Sequence, residues 1–127
     1  GPGSIGINDT VNSVRDVYIF LTQHDRNRLV ERVDFISMPG KRACKELGFL
    51  GNGPKWIVTP KAIFDFDPET DLARLHALFP GVTVGEVKAQ TGFRVNAAGQ
   101  AKTVPPPTPE ELAFLRSEID PTGVLRQ

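Results

Sequence analysis

Few residues in this sequence could do chemistry, and they are widely spaced. His24 follows the apolar run Val17-Tyr18-Ile19-Phe20-Leu21 and precedes Asp25-Arg26. That puts it at the carboxyl end of an expected strand, where ligands gather in open α/β sheets. It is a candidate ligand-facing residue. The competing reading is a partly buried histidine bonded to a loop carbonyl, since no serine, cysteine or second histidine is placed to complete a triad. Gly1-Pro2-Gly3-Ser4-Ile5-Gly6 has the spacing G-x-G-x-x-G. A dinucleotide site needs that pattern between a strand and a helix, with an acidic residue closing a following strand, and neither condition is met here. A milder reading is that the loop through Gly3, Ser4, Gly6 and Asn8 presents backbone amides to a carbonyl or carboxylate oxygen, against the plainer one of a flexible terminus. Gly1-Pro2-Gly3-Ser4 also has the form left by cleavage of an expression tag.

The remaining groups offer less. Cys44 has Lys41, Arg42 and Lys45 beside it in sequence, which would lower a thiol pKa, but no histidine to serve as its base. It reads as a bystander thiol. His24 and His76 are the only histidines and lie far apart, and no carboxylate set has ligand spacing, so no metal is expected. Asp65, Asp67, Glu69 and Asp71 lack the order of a calcium loop and read as a solvated turn. Trp56 reads as a core or interface aromatic.

The elements that must position these groups follow from pattern. Asn8 or Asp9 could cap a short helix at about 10–14. The run 17–21 reads as a strand buried on both faces, and alternation through Val30, Arg32, Val33 and Phe35 predicts a second strand at 29–36. Residues 38–54, rich in glycine and proline, read as irregular with one helical turn around 42–47. Short strands at 56–58, 62–66 and 72–79 predict an antiparallel meander over 55–79, with turn chemistry at Asp67-Pro68-Glu69-Thr70. Thr83 and Glu86 form a capping box for a helix flanked by the apolar pair Val82 and Val87, with Gly92 placed to end it in the left-handed conformation. Residues 93–107 read as a surface tail. A last helix starts at Thr108, with Pro109 at its first position, Glu111 completing a second capping box, and Leu112, Leu115 and Ile119 in one apolar stripe.

Composition narrows the class. With 127 residues, a formal net charge of zero and 39% hydrophobic residues, the chain fits a single α/β domain spanning 1–127. Balanced charge argues against nucleic acid as partner. No apolar run approaches the ~20 residues that cross a bilayer, so no membrane is expected. A single cysteine cannot form an internal disulfide, which makes a reducing, cytoplasmic compartment the expectation.

Beyond this the sequence resembles the second half of a CoA-transferase β subunit of the glutaconate or 3-oxoacid type. The resemblance is carried by the glycine loop with Asn8-Asp9, by Val17-Tyr18-Ile19-Phe20-Leu21-Thr22-Gln23-His24, and by Leu29-Val30-Glu31-Arg32-Val33-Asp34-Phe35. It continues through Ile57-Val58-Thr59-Pro60-Lys61-Ala62-Ile63-Phe64-Asp65-Phe66-Asp67 and Phe79-Pro80-Gly81-Val82-Thr83-Val84-Gly85-Glu86-Val87, then Thr91-Gly92-Phe93. Pro107-Thr108-Pro109-Glu110-Glu111-Leu112 and Ile119-Asp120-Pro121 close it.

The resemblance implies the carboxyl-terminal part of a three-layer α/β domain with a central mixed, largely parallel sheet, and an active site between α and β subunits. It implies no bound cofactor, with a coenzyme A thioester as substrate and a carboxylate as acceptor. In the family a glutamate, often within Ser-Glu-Asn-Gly, attacks the thioester, and a glycine-rich loop stabilises the oxyanion. The glutamates here, at 31, 46, 69, 86, 110, 111 and 118, do not stand in that motif, so no catalytic residue is assigned to this chain and the fragment is expected to be inactive alone. Gly3, Ser4, Gly6, Asn8 and His24 carry over as candidate substrate or CoA neighbours. The expected partners are an α subunit and the amino-terminal half of the β subunit, with a homo-oligomer forming when the chain is isolated. The β subunit of the CoA-thioester ring-opening hydrolase of steroid degradation resembles the chain almost as well. A non-catalytic assembly partner is the third expectation.

Overall fold

Alternating apolar residues between 55 and 79 dictate the centre of the fold. The structure, a computed structural model, describes residues 13–124. Within them β2 (Pro54–Val58), β3 (Ala62–Phe66) and β4 (Ala73–Leu78) form the expected antiparallel meander. β1 (Val17–Phe20) adds to β2 in parallel, and β5 (Asn96–Thr103) adds to β4 in parallel. The five strands of the described residues thus lie in sequence order in one mixed sheet. Three helices accompany them: α1 (Lys41–Glu46), α2 (Val84–Gln90) and α3 (Pro109–Phe114), the last running into a π-helical turn, Leu115–Ile119. The α/β class with a central mixed sheet is the one expected from sequence.

Strand alternation decides which residues are buried. Ala62 and Phe64 of β3 and Leu75 and Leu78 of β4 point to one face, where Val87 of α2 and Val95 complete the core. Phe64, Leu75 and Val87 are fully buried, each worth about 1.5–3 kcal/mol of transfer free energy. α2 is held there by its own start signal. The Thr83 hydroxyl accepts from Glu86 N–H at 3.2 Å, and the Glu86 carboxylate accepts from Thr83 N–H at 2.8 Å. The second capping box forms at Thr108 and Glu111 as the sequence predicts.

α1 begins at Gly40, which has no side chain to cap it. The carboxylate of Asp71 does so instead, accepting from Arg42 N–H at 2.9 and 3.2 Å. A Cβ at residue 40 would collide with the Asp71 side chain and push it off the helix end.

Several expectations need correction. Residues 29–36 form no strand. The Leu29 amide bonds the Asp25 carbonyl and the Leu29 carbonyl accepts from Gly92, so no ladder can form there, and Val33, Phe35 and Ile36 are exposed. Gly92 does not close α2 in the left-handed region. α2 ends at Thr91 in extended conformation, and Gly92 is required because a Cβ there would lie 2.5 Å from the Leu29 carbonyl oxygen. Residues 93–107 are not all tail, since β5 pairs with β4. Its register runs from Leu75↔Ala97 to Ala77↔Lys102, so the strand bulges around Gly99, whose φ is +80°. β1 is not buried on both faces. Among the described residues it pairs only with β2, and Tyr18 and Phe20 are 59% and 72% exposed. The stripe of Leu112, Leu115 and Ile119 does not pack as a unit either: Leu112 is half-buried, while Leu115 and Ile119 stay exposed where the helix widens into its π turn. Residues 10–12 of the helix expected at about 10–14 lie outside the described residues.

Replacing Phe64 with alanine should cost about 3–5 kcal/mol in urea unfolding, the range for deleting a fully enclosed aromatic ring.

Candidate functional site

β1 and β2 run in parallel and end side by side, so their carboxyl ends form one edge. Along that edge Thr22, Gln23 and Pro60 are exposed and Lys61 is half-buried, whereas His24 is buried. His24 is only 7% exposed. Its Nδ1 lies 2.9 Å from Thr59 Oγ1 and its Nε2 lies 3.1 Å from Thr91 Oγ1. The ring stacks at 6.0 Å, centroid to centroid, on Phe64 of the core.

Counting donors fixes the role of one ring nitrogen. The Thr91 hydroxyl gives its one proton to the Val87 carbonyl at 2.7 Å, so toward His24 it can only accept. Nε2 therefore carries hydrogen. The Thr59 oxygen already accepts from Lys61 N–H at 3.2 Å and Ala62 N–H at 2.9 Å, which fills both lone pairs. The Thr59 hydroxyl donates to the Ala62 carbonyl at 2.9 Å, which also accepts from Thr59 N–H at 2.9 Å. His24 thus donates from Nε2 to the Thr91 oxygen. Burial pushes its pKa below the ordinary histidine value; the Val87 carbonyl opposes this, Lys61 adds to it, and Asp25 opposes it.

The loop after His24 is tied to the same helix end. Gly92 N–H donates to the Leu29 carbonyl at 2.6 Å, and Arg26 Nε donates to the Ala89 carbonyl at 2.8 Å. Asp25 closes the loop on itself, accepting from Asn27 N–H at 2.8 Å and pairing with Arg28. His24 and its two threonines therefore join the end of β1, the β2–β3 turn and the end of α2. The threonines were not singled out from sequence. Only their places, just after β2 and just after the helix, could have pointed to them.

A second polar cluster lies on the opposite, open face of the sheet. Asp65 takes Arg74 through two bonds of 2.7 and 3.2 Å, with Asp67 at 3.4 Å from the same guanidinium. His76 Nδ1 is 3.4 Å from Asp65, and its ring meets Trp56 edge-on at 4.6 Å. Tyr18, Trp56, Val58, Ile63 and His76 border a shallow cleft of about 310 Å³ there. The readable signal was the period-two pairing of residues 65 and 67 with 74 and 76.

The other expected groups are accounted for. Burial pushes the Cys44 thiol up, and Asp71 adds to the effect, so both favour the protonated thiol over the thiolate. The acidic turn is structural: Asp67 accepts from the amides of Glu69 and Thr70. Among the described residues no group of His, Cys, Asp and Glu could hold a metal ion, and no helix is long and apolar enough to cross a membrane. Gly3, Ser4, Gly6 and Asn8 lie outside the described residues. The described edge can orient and hydrogen-bond a ligand, but it has no nucleophile with an adjoining base.

No protein-family model matches the chain. Among curated proteins it is 32% identical over 108 residues to the β subunit of glutaconate CoA-transferase from Acidaminococcus fermentans, a match covering 81% of this chain and 40% of that protein. It is 32% identical to the β subunit of 3-oxoadipate CoA-transferase from Pseudomonas knackmussii, covering 91% of this chain and 46% of that protein. It is 30% identical to the cholesterol ring-cleaving hydrolase IpdB subunit of Mycobacterium tuberculosis, with the same 91% and 46% coverage. The crystal structure of the Acidaminococcus glutaconate coenzyme A-transferase superposes with a TM-score of 0.82 at 30% identity, covering 98% of this chain and 49% of that one. The chain spans about half the length of the curated relatives it matches.

Thr91→Val keeps the shape and removes the acceptor of Nε2–H. It should cost about 1–3 kcal/mol in chemical denaturation, the penalty for a buried donor without a partner, while Thr91→Ser should recover most of it.

Proposed function

We propose, for a chain that belongs to the CoA-transferase family, that it is the carboxyl-terminal part of a β subunit whose enzyme moves CoA between an acyl-CoA and a carboxylic acid. The observation that carries this reading is the fold-wide likeness to glutaconate coenzyme A-transferase, spread over about half of that protein's chain. In the proposed reaction a glutamate supplied from outside these 127 residues attacks the thioester carbonyl with a carboxylate oxygen. The carbon–sulfur bond breaks, CoA leaves as thiolate, and an acyl-glutamyl anhydride remains. The thiolate then attacks the glutamyl carbonyl, expelling the first carboxylate and leaving glutamyl-CoA. The same two steps in reverse, with the acceptor acid's carboxylate as nucleophile, pass CoA on.

The glutamates of this chain fit a nucleophile placed elsewhere. Glu86 and Glu111 are bound to the amides of their own helix caps, and Glu46 pairs with Arg42. Glu31, Glu69, Glu110 and Glu118 are exposed, where water solvates the carboxylate and blunts its attack. In this reading Gly3, Ser4, Gly6 and Asn8 offer amides to the thioester oxyanion, and His24 holds the strand ends. The open sheet face, with Tyr18, Phe20 and Trp56, takes the amino-terminal half of the β subunit, and the α subunit completes the site. Identity to the cholesterol ring-cleaving hydrolase subunit favours one second reading, in which the assembled enzyme opens a ring of a CoA thioester with water.

Co-expressed with an α subunit and an amino-terminal β half, the chain should support CoA exchange between succinyl-CoA and a 3-oxoacid, and should show none alone. Exchange by the isolated chain would overturn the fragment reading. Ring cleavage without exchange would select the hydrolase, and an assembled but inert complex would leave only a role in assembly. The isolated chain should self-associate through its open face, and Phe20→Lys should return it to a monomer in light scattering. A wild-type monomer contradicts that use of the face.

A further inference from the structure

We propose that Asn52 is a site of spontaneous deamidation, and that its conversion to a carboxylate releases a clip fastening the entry of β1 to the entry of β2. Asparagine is among the thermolabile side chains. Asn52-Gly53 is the only Asn-Gly pair in the sequence. Asn52 is exposed and lies outside any helix or strand. Ring closure brings the following backbone nitrogen to the side-chain carbonyl carbon, and a glycine has no side chain to block that approach. Gly53 N–H makes no hydrogen bond among the described residues, so closure breaks none there. The other two described asparagines differ. Arg28 N–H, after Asn27, is held by the Asp25 carbonyl and carboxylate at 3.3 and 3.1 Å, and Asn96 opens a paired strand. The glycine is hard to replace: its φ is +69°, and a Cβ there would lie 2.6 Å from the Pro39 carbonyl oxygen.

Water is the only co-reactant. Gly53 N attacks Asn52 Cγ and an N–Cγ bond forms. The Cγ–Nδ2 bond breaks, and ammonia leaves with the proton from Gly53 N. Water then opens the cyclic imide. Cleavage of the new N–Cγ bond leaves aspartate; cleavage of the original peptide bond leaves the main chain running through Cγ, an isoaspartate.

The bond that is lost has a definite place in the fold. Pro54 opens β2 with no N–H to give. The Arg15 carbonyl, two residues before β1, takes its hydrogen from Asn52 Nδ2 at 3.0 Å. A carboxylate only accepts, so after the reaction two acceptors face each other. The cations at this corner, Lys55 and Arg15, are already paired with Asp16 at 3.5 and 3.3 Å. An isoaspartate also adds a methylene to the main chain where Gly53 packs against Pro39. β1 has four residues and, among the described residues, pairs only with β2, so weakening its entry loosens the strand as a unit. Tyr18 and Phe20 are carried on it, so the open face changes with the age of the chain. This inference stands apart from the reaction proposed above.

The test is to age the full chain for days in mildly alkaline buffer, separate modified from intact molecules by ion exchange, and read peptide maps and amide exchange by mass spectrometry. Residue 52 should change from amide to acid, as aspartate and isoaspartate, ahead of Asn27 and Asn96 and faster as pH rises. In modified molecules Leu21 N–H, which bonds the Val58 carbonyl at 2.9 Å, should exchange roughly two- to tenfold faster than in intact ones, the loss expected for one hydrogen bond. Asn52→Asp should show that faster exchange without ageing, and Asn52→Gln should resist the mass change. An Asn52 that stays intact overturns the site, and a modified chain with unchanged Leu21 exchange overturns the clip. Should Asn52→Asp fail to fold, the two fractions of the aged wild-type chain decide between the same outcomes.

Discussion

The packing of α2 against one face of the sheet is the constraint on which the rest of the structure depends. Phe64, Leu75 and Val87 exclude water between β3, β4 and that helix, and Ile57, Val84 and Phe93 widen the contact. Once α2 is fixed there, its last turn brings Thr91 to His24 and Gly92 to Leu29. The loop following β1 has no apolar run of its own and takes its place from polar bonds to that helix end. Burial thus supplies the free energy, and hydrogen-bond geometry converts it into position at the edge where β1 and β2 end.

The sheet has two unlike faces. The core face is apolar and carries α2. The other face holds a chain of mutually bonded polar groups, Asp65, Arg74, Asp67 and His76, bordered by Tyr18, Trp56, Val58 and Ile63. Covering paired groups still costs desolvation, but less than covering lone charges would. Such a face is chemically suited to being covered, in keeping with a chain that aligns with about half of its relatives' length.

Much of this was legible in the sequence where the signal is local. Thr83 with Glu86, and Thr108 with Glu111, mark helix starts because a cap is made within four residues. The meander over 55–79 was legible because alternation and turn residues agree. Non-local features were not. The alternation at 30–35 mimics a strand, and only the bonds of Leu29 to Asp25 and Gly92 show why none forms. β5 was hidden because its bulge at Gly99 breaks the period and its side chains are mostly small. His24 could be picked out by position, but its partners lie 35 and 67 residues away, and no spacing rule reaches that far. The family resemblance was readable because whole segments recur in order, and that kind of signal does not depend on any one contact.

The borrowed cap of α1 bears on the order in which the chain acquires its shape. A six-residue helix is too short to persist alone, and this one lacks a cap of its own. Its terminal amide is satisfied only by Asp71, 29 residues further on, in the bend that joins β3 to β4. α1 is therefore subordinate to the β3–β4 hairpin. During synthesis, residues 41–46 leave the ribosome well before the group that stabilises them, and remain coil until the hairpin behind them has closed.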